Sequence, residues 1–251
     1  MNTILFDISG VLLDGKVAIP GAIDAVNRAT DADFNVRLVT NTSRRTRHQI
    51  WLDLFESGFD VQEDQIYTAP LAARGIARQK RLKTWCLVHP NLLADLDPVE
   101  PENANAVIVG DAAEGFTYER LNTAFQLCLD GAMLIAIGRN KYFYQQGDYY
   151  LDAGPFVEAI EYAIDRNAIV AGKPSLEFFQ QVLTEMKVAP EQAWMIGDDV
   201  YGDIQGALSA GIRACLVKTG KYREGDGGKL HHDFMVQPDV SSAVDAILAV
   251  N

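Results

Sequence analysis

The chain is poor in cysteine, in histidine and in positive charge. Its three cysteines, Cys86, Cys128 and Cys215, lie far apart and include no CxxC pair, which excludes a disulfide framework and a thiolate metal centre. Odd in number and set among apolar neighbours, they read as buried free thiols of a reducing compartment. The four histidines, His48, His89, His231 and His232, show no metal-ligand spacing with cysteine. Lysine and arginine number 22 against 34 acidic residues, for a net charge of −12. That balance argues against nucleic acid and against an anionic membrane surface as partners, because both repel such a protein at long range. Long apolar runs are missing too: none approaches the ~18 residues that span a bilayer. Asp7 interrupts the first apolar run, so a signal peptide is not expected. A cytoplasmic location follows as the expectation.

What is present is a long alternation of short apolar runs and amphipathic stretches. With 251 residues, 48% of them hydrophobic, the chain has enough for one large domain or two small ones. TILFD (3–7), NVRLVT (35–40), TWCLV (84–88), AVIVG (106–110), MLIAIG (133–138), AIVAG (168–172), AWMIGDD (193–199) and RACLVKTG (213–220) read as strands. Helical spacing separates them at 44–57, 117–130, 155–165, 175–187 and 201–210, and Pro20-Gly21 opens a further helix. Such alternation implies parallel sheets built from βαβ units, with ligands at the carboxyl ends of the strands. No repeat or low-complexity tract appears; the acidic, proline-bearing DLDPVEPENAN (95–105) reads as a loop within a domain.

Four strand ends carry polar chemistry directly after the apolar run. These are Asp7-Ile8-Ser9-Gly10, Thr40-Asn41-Thr42, Gly172-Lys173-Pro174-Ser175 and Gly197-Asp198-Asp199, with Asp203 one helical turn beyond Asp199. Taken singly, each aspartate, threonine or serine there is an ordinary helix cap, and Lys173 an ordinary loop lysine. If the four strands are parallel neighbours, however, Asp7, Asp198, Asp199 and Asp203 meet with Lys173 at one sheet edge. Several carboxylates in one cleft cannot all ionise without a compensating cation. One lysine is too little. Mg²⁺, which suits carboxylate, carbonyl and water ligands, is the economical answer. Together with Lys173 it would let an acidic protein hold a phosphoryl group.

ILFDISGV, LVTNT, GKPS and IGDDVYGD, in that order, resemble the four signature motifs of the haloacid dehalogenase superfamily. The resemblance spans essentially the whole chain. The long insertion between LVTNT and GKPS is similar to that of the NagD-like type IIA phosphatases. It implies a Rossmann-like parallel α/β core over 1–78 and 172–251, with a smaller α/β cap domain inserted over 79–171. It also implies a homodimer through the cap and a small phosphorylated substrate. The aromatic stretch GRNKYFYQQGDYY (138–150) is a candidate to line that substrate, or else packs between cap and core.

Residue by residue, the resemblance makes Asp7 the nucleophile that forms an aspartyl-phosphate. Thr40 and the Asn41 backbone would hold phosphoryl oxygens, and Lys173 would neutralise nucleophile and transferring group. Asp198 would bind Mg²⁺ with the Asp7 carboxylate and the Ser9 backbone carbonyl. Asp199 and Asp203 would orient the metal's waters and Lys173.

Ser9 departs from the commoner family pattern, which has a second aspartate there as general acid and base, worth ~10²–10⁴-fold. The serine keeps the carbonyl but has no proton to exchange near neutral pH. It also faces the substrate in the inferred site. DISGVL, the segment 138–163 and VKTGKYREGD are similar to members of the subfamily that carry this serine. Weak monoesterase activity is expected, with pyrophosphate or a phosphoramidate least affected. The alternative is a phosphate-binding or regulatory protein with negligible turnover. Dehalogenation fits less well, since dehalogenases of this superfamily need no metal and the acidic cluster makes little sense without one.

Overall fold

Thr3–Asp7 is a strand whose five residues are all buried, the pattern of a central strand in a parallel sheet covered on both faces. The computed structural model describes residues 2–145 and 147–250. They divide into two compact units: residues 2–40, Arg47–Tyr67 and 182–250 in one, Asn41–Thr46 and Thr68–Gln181 in the other.

The first unit is built on a six-stranded sheet. Its spatial order is Met235–Gln237, Arg213–Val217, Ala193–Gly197, Thr3–Asp7, Asn35–Thr40 and Ile66–Thr68. The central strands run parallel, with Phe6 opposite both Ile196 and Leu38, and Asp7 opposite Val39. Gly197 in turn stands opposite Leu216. This register brings the residues after Asp7, Val39, Gly197 and Val217 to one edge of the sheet. Ile4, Phe6, Leu38, Ile196 and Val217 form a core with the apolar faces of helices Ala22–Asp31 and Val240–Ala249. Each such side chain contributes about 1.5–3 kcal/mol on burial, which anchors the strand ends without any help from the polar residues beyond them.

The second unit has its own parallel sheet, in the order Ile169–Val170, Met133–Ala136, Ala106–Val109, Thr84–Leu87. Leu87, Val107, Val109, Leu134, Val157 and Ile160 pack there with helices Tyr118–Leu129 and Ala153–Ile164. A separate antiparallel pair, Tyr142–Gln145 with Asp148–Leu151, leaves Tyr142, Tyr149, Tyr150 and Leu151 exposed. Of the aromatic stretch read as a substrate lining, Gln146 and the side chains of Tyr144 and Gln145 lie outside the described residues.

The condition that all four polar-ended strands be parallel neighbours is met by three of them. The 168–172 strand does not join the sheet of Thr3–Asp7; its Ile169–Val170 pairs with Met133–Ala136. Helix Ala153–Ile164 connects those two strands, and a short βαβ unit closes on its nearest partner in sequence more readily than on a distant one.

Candidate active site

The parallel register alone accounts for the centre of the site. Asp7 ends its strand, and Asp198 follows the end of the neighbouring strand Ala193–Gly197 directly. After Asp198 the chain turns into a π-helical segment, Val200–Gln205, capped by Asp199, whose carboxylate accepts from the Tyr201 and Gly202 N–H groups. A π-turn widens the helix, and such turns recur at functional sites. This one carries Asp203 back beneath the sheet edge, where its Oδ2 accepts from the Asp199 N–H at 3.2 Å. Gly197 makes room, because a Cβ there would overlap the Asp203 side chain.

The outcome is a cluster of three buried carboxylates. Asp7, Asp198 and Asp203 are 5%, 1% and 1% exposed, and one oxygen of each lies within 4.8 Å of the others. Like charges this close and this dry repel strongly. An all-oxygen donor set of that size fits a hard divalent cation.

The loop after Arg213–Val217 completes the edge. Gly10 and Gly220, with φ of +82° and +54°, bring their backbones so close to Asp198 that a Cβ on either would overlap its Oδ2. The Lys221 N–H donates to that same oxygen at 2.7 Å, and Thr219 Oγ1 donates to the Gly10 carbonyl at 2.5 Å. Lys221 Nζ stands 3.3 Å from Asp199 Oδ2. Burial pulls the Lys221 ammonium down, but Asp199, Asp7, Asp198 and Asp203 together hold its pKa above the ordinary lysine value. Burial likewise pushes Asp199 up, and the Gly202 and Tyr201 N–H groups and Lys221 outweigh it, so its pKa lies below the usual carboxylate range.

The other sequence-derived residues divide between the units. Thr40 is buried at the end of Asn35–Thr40 in the first unit, one residue past the partner of Asp7. Ser9 is exposed and lies just after the first strand, bridged to Leu13. Asn41 and Lys173 belong to the second unit. There the Asn41 side chain clasps the Lys173 backbone, accepting from its N–H and donating to its carbonyl, both at 2.8 Å. Gly172 permits the approach: a Cβ there would overlap the Ile137 carbonyl and press on Asn41 Oδ1. The sequence reading gave Asn41 a role through its backbone; its side chain has this further one.

Lys221 is the residue that sequence reasoning missed. The signal was present, since Arg213–Val217 also ends in a polar run, Lys218-Thr219-Gly220-Lys221. Only the sheet order makes that run a neighbour of Asp198.

Similarity to known proteins covers nearly the whole chain. A family profile described as haloacid dehalogenase-like hydrolase matches residues 4–100, and one described as HAD-hydrolase-like matches 170–243. The chain is 40% identical to phospholysine phosphohistidine inorganic pyrophosphate phosphatase of Xenopus laevis, across 99% of this chain and 95% of that protein. It is also 40% identical to haloacid dehalogenase-like hydrolase domain-containing protein 2 of Rattus norvegicus, across 99% and 96%. Among solved structures, NagD from E. coli K-12 superposes with a TM-score of 0.87 at 24% identity, covering 96% of this chain and 97% of that one. That last likeness speaks for the fold.

Proposed function

Because this chain belongs to the haloacid dehalogenase-like hydrolases, we propose that it is a Mg²⁺-dependent phosphohydrolase. It acts through an aspartyl-phosphate on a small phosphorylated compound, pyrophosphate or a phosphoramidate, and only weakly on ordinary monoesters. The buried trio Asp7, Asp198 and Asp203, with oxygens within 4.8 Å, is the observation that carries this reading.

In this reading an Asp7 carboxylate oxygen attacks phosphorus, and the bond from phosphorus to the leaving group breaks with its electron pair on the departing atom. Water then attacks the same phosphorus, releasing phosphate and restoring the carboxylate. Splitting one displacement into two is the gain of covalent catalysis. Asp7, Asp198 and the Ser9 carbonyl would hold Mg²⁺, with Asp203 close enough to share in that task and Asp199 orienting its surroundings. When bound, the ion supplies positive charge against the phosphoryl oxygens. Thr40 and Asn41 are assigned to those oxygens, and Lys173 to charge neutralisation, on the strength of the resemblance. The insertion 79–171 is proposed as the cap that selects substrates and as the surface of a homodimer.

Ser9 shapes the substrate class. Without an acid at that position, leaving groups that depart as stable anions, or already protonated on nitrogen, suffer least. Ser9 also favours the second reading, a phosphate-binding protein with negligible turnover. A Mg²⁺-dependent phosphate-release assay over p-nitrophenyl phosphate, sugar phosphates, pyrophosphate and a phosphoramidate separates the two. Turnover above an Asp7→Asn control is expected; activity equal to that control would establish the binder. Ser9→Asp should raise turnover of sugar phosphates, by up to ~10²-fold. No gain there, or equal wild-type rates on sugar phosphates and phosphoramidates, would remove the argument from Ser9.

A further inference from the structure

Beside the acidic trio, within the first unit, lies a cavity of about 290 Å³. Asp198 and Asp199 form one wall, and Tyr201, Lys221, Arg223 and Lys229 stand around the rest. Its charges are not equally available. Asp199 is engaged by two N–H groups and by Lys221. Buried Asp226 holds Lys229 Nζ at 2.6 Å and accepts from the Arg223 N–H at 2.8 Å, so it occupies Lys229 and fixes the loop that carries Arg223. The Lys221 side chain is 67% exposed, and Arg223 is exposed on the same wall. The Lys221 N–H donates to Asp198 Oδ2 at 2.7 Å, and an Asp198 oxygen lies within 4.8 Å of one of Asp7, so the residue stands at the rim of the trio that holds the proposed nucleophile.

We propose that Lys221 and Arg223 form a subsite for a second anionic group of the substrate, next to the phosphorus that Asp7 attacks. This deepens the phosphohydrolase reading and rests on it. A compound with one phosphoryl group and a neutral remainder needs only Asp7 and the groups proposed above to hold the transferring phosphoryl group. A diphosphate brings a further charged group, and two accessible cations at a cavity wall are the chemistry that receives one. As the Asp7 oxygen bonds to the first phosphorus, the bridging P–O bond breaks and its electron pair stays on the departing phosphate. Lys221 and Arg223 offset that charge without transferring a proton. They thereby supply by charge what Ser9 cannot supply as an acid.

The test compares Lys221→Gln and Arg223→Gln, singly and together, on inorganic pyrophosphate and p-nitrophenyl phosphate with Mg²⁺. Exposed Lys80 in the second unit, changed to Gln, controls for net charge. The ratio of kcat/KM for pyrophosphate over p-nitrophenyl phosphate should fall about tenfold or more per variant, chiefly through KM, as expected for a lost charged contact. Calorimetry of imidodiphosphate, a bridged analogue, on the Asp7→Asn protein should show a loss of similar size without any turnover. A role confined to steadying Asp199 would lower both substrates by one factor and leave the ratio unchanged; that result overturns the subsite. Arg223→Gln settles the matter if Lys221→Gln disturbs the fold. Turnover of p-nitrophenyl phosphate by a wild type that neither cleaves pyrophosphate nor binds imidodiphosphate also overturns it, while leaving the broader reading intact. Turnover that survives Asp7→Asn sinks the broader reading instead.

Discussion

Two glycines decide whether Asp198 can stand where it does. Gly10 follows the first strand and Gly220 follows Arg213–Val217, more than two hundred positions later, yet both abut the same carboxylate oxygen. Both also have positive φ, where any other residue is strained. Gly10→Ala or Gly220→Ala should lower kcat about 10²-fold, because displacements near 1 Å at a reacting centre have that effect. The accompanying stability loss should be about 1–3 kcal/mol, because positive-φ strain and overlap with a buried side chain add. Parallel measurement of kcat and of urea midpoints checks this; a kcat loss no larger than the unfolded fraction explains would refute it. Gly10 was legible beside Asp7 in the DISGV run. The part played by Gly220 was not, since its neighbour is distant in sequence.

At the scale of elements, the longer buried strands and most amphipathic helices were legible; helix Val240–Ala249 and the marginal elements were not. Ile66–Thr68 is only three residues long, and helix Ala69–Gln79 buries a face dominated by alanine, so neither shows a strong apolar period. The pair Tyr142–Gln145 and Asp148–Leu151 has no buried face on its second strand, and alternation cannot reveal a strand exposed on both sides. Helix Val240–Ala249 illustrates how a polar residue sets an element. Asp239 accepts from the Ser242 N–H at 2.8 Å, capping a helix whose Val240, Ala243, Val244 and Ile247 enter the core. Arg28 ties its start to helix Ala22–Asp31 through the Ser241 carbonyl and hydroxyl. Asp239→Ala should cost about 1 kcal/mol in chemical denaturation, with phosphatase kinetics unaltered. A change in kcat without a change in stability would contradict a purely capping role.

For the whole molecule, the three thiols report on both units. Cys215 lies in the core of the first, Cys86 and Cys128 in the second, and all are free and buried. Burial pushes Cys86 and Cys215 up to about 12 and Cys128 to about 11. The thiolate is the reactive form, so native protein should resist a disulfide reagent at pH 8 and take up three equivalents once unfolded. Mass spectrometry at intermediate denaturant would show which unit opens first. Rapid labelling of native protein would contradict this burial. Among the described residues no helix is long and apolar enough to cross a membrane, in keeping with the short apolar runs.

The sequence by itself determined the alternating α/β character, the strand ends that carry Asp7, Thr40 and Asp198, and the burial of the cysteines. Each of these follows from local patterning: an apolar run must be buried, and the polar residue at its end must emerge at the sheet edge. Tertiary structure decided what stands beside what. The order of the parallel strands brought Gly220 and Lys221 to Asp198. Pairing with Met133–Ala136 took Ile169–Val170 into the second sheet, and the Asn41 clasp joined positions 132 residues apart. Such neighbours are set by sheet order and loop closure, which no short stretch of chain encodes.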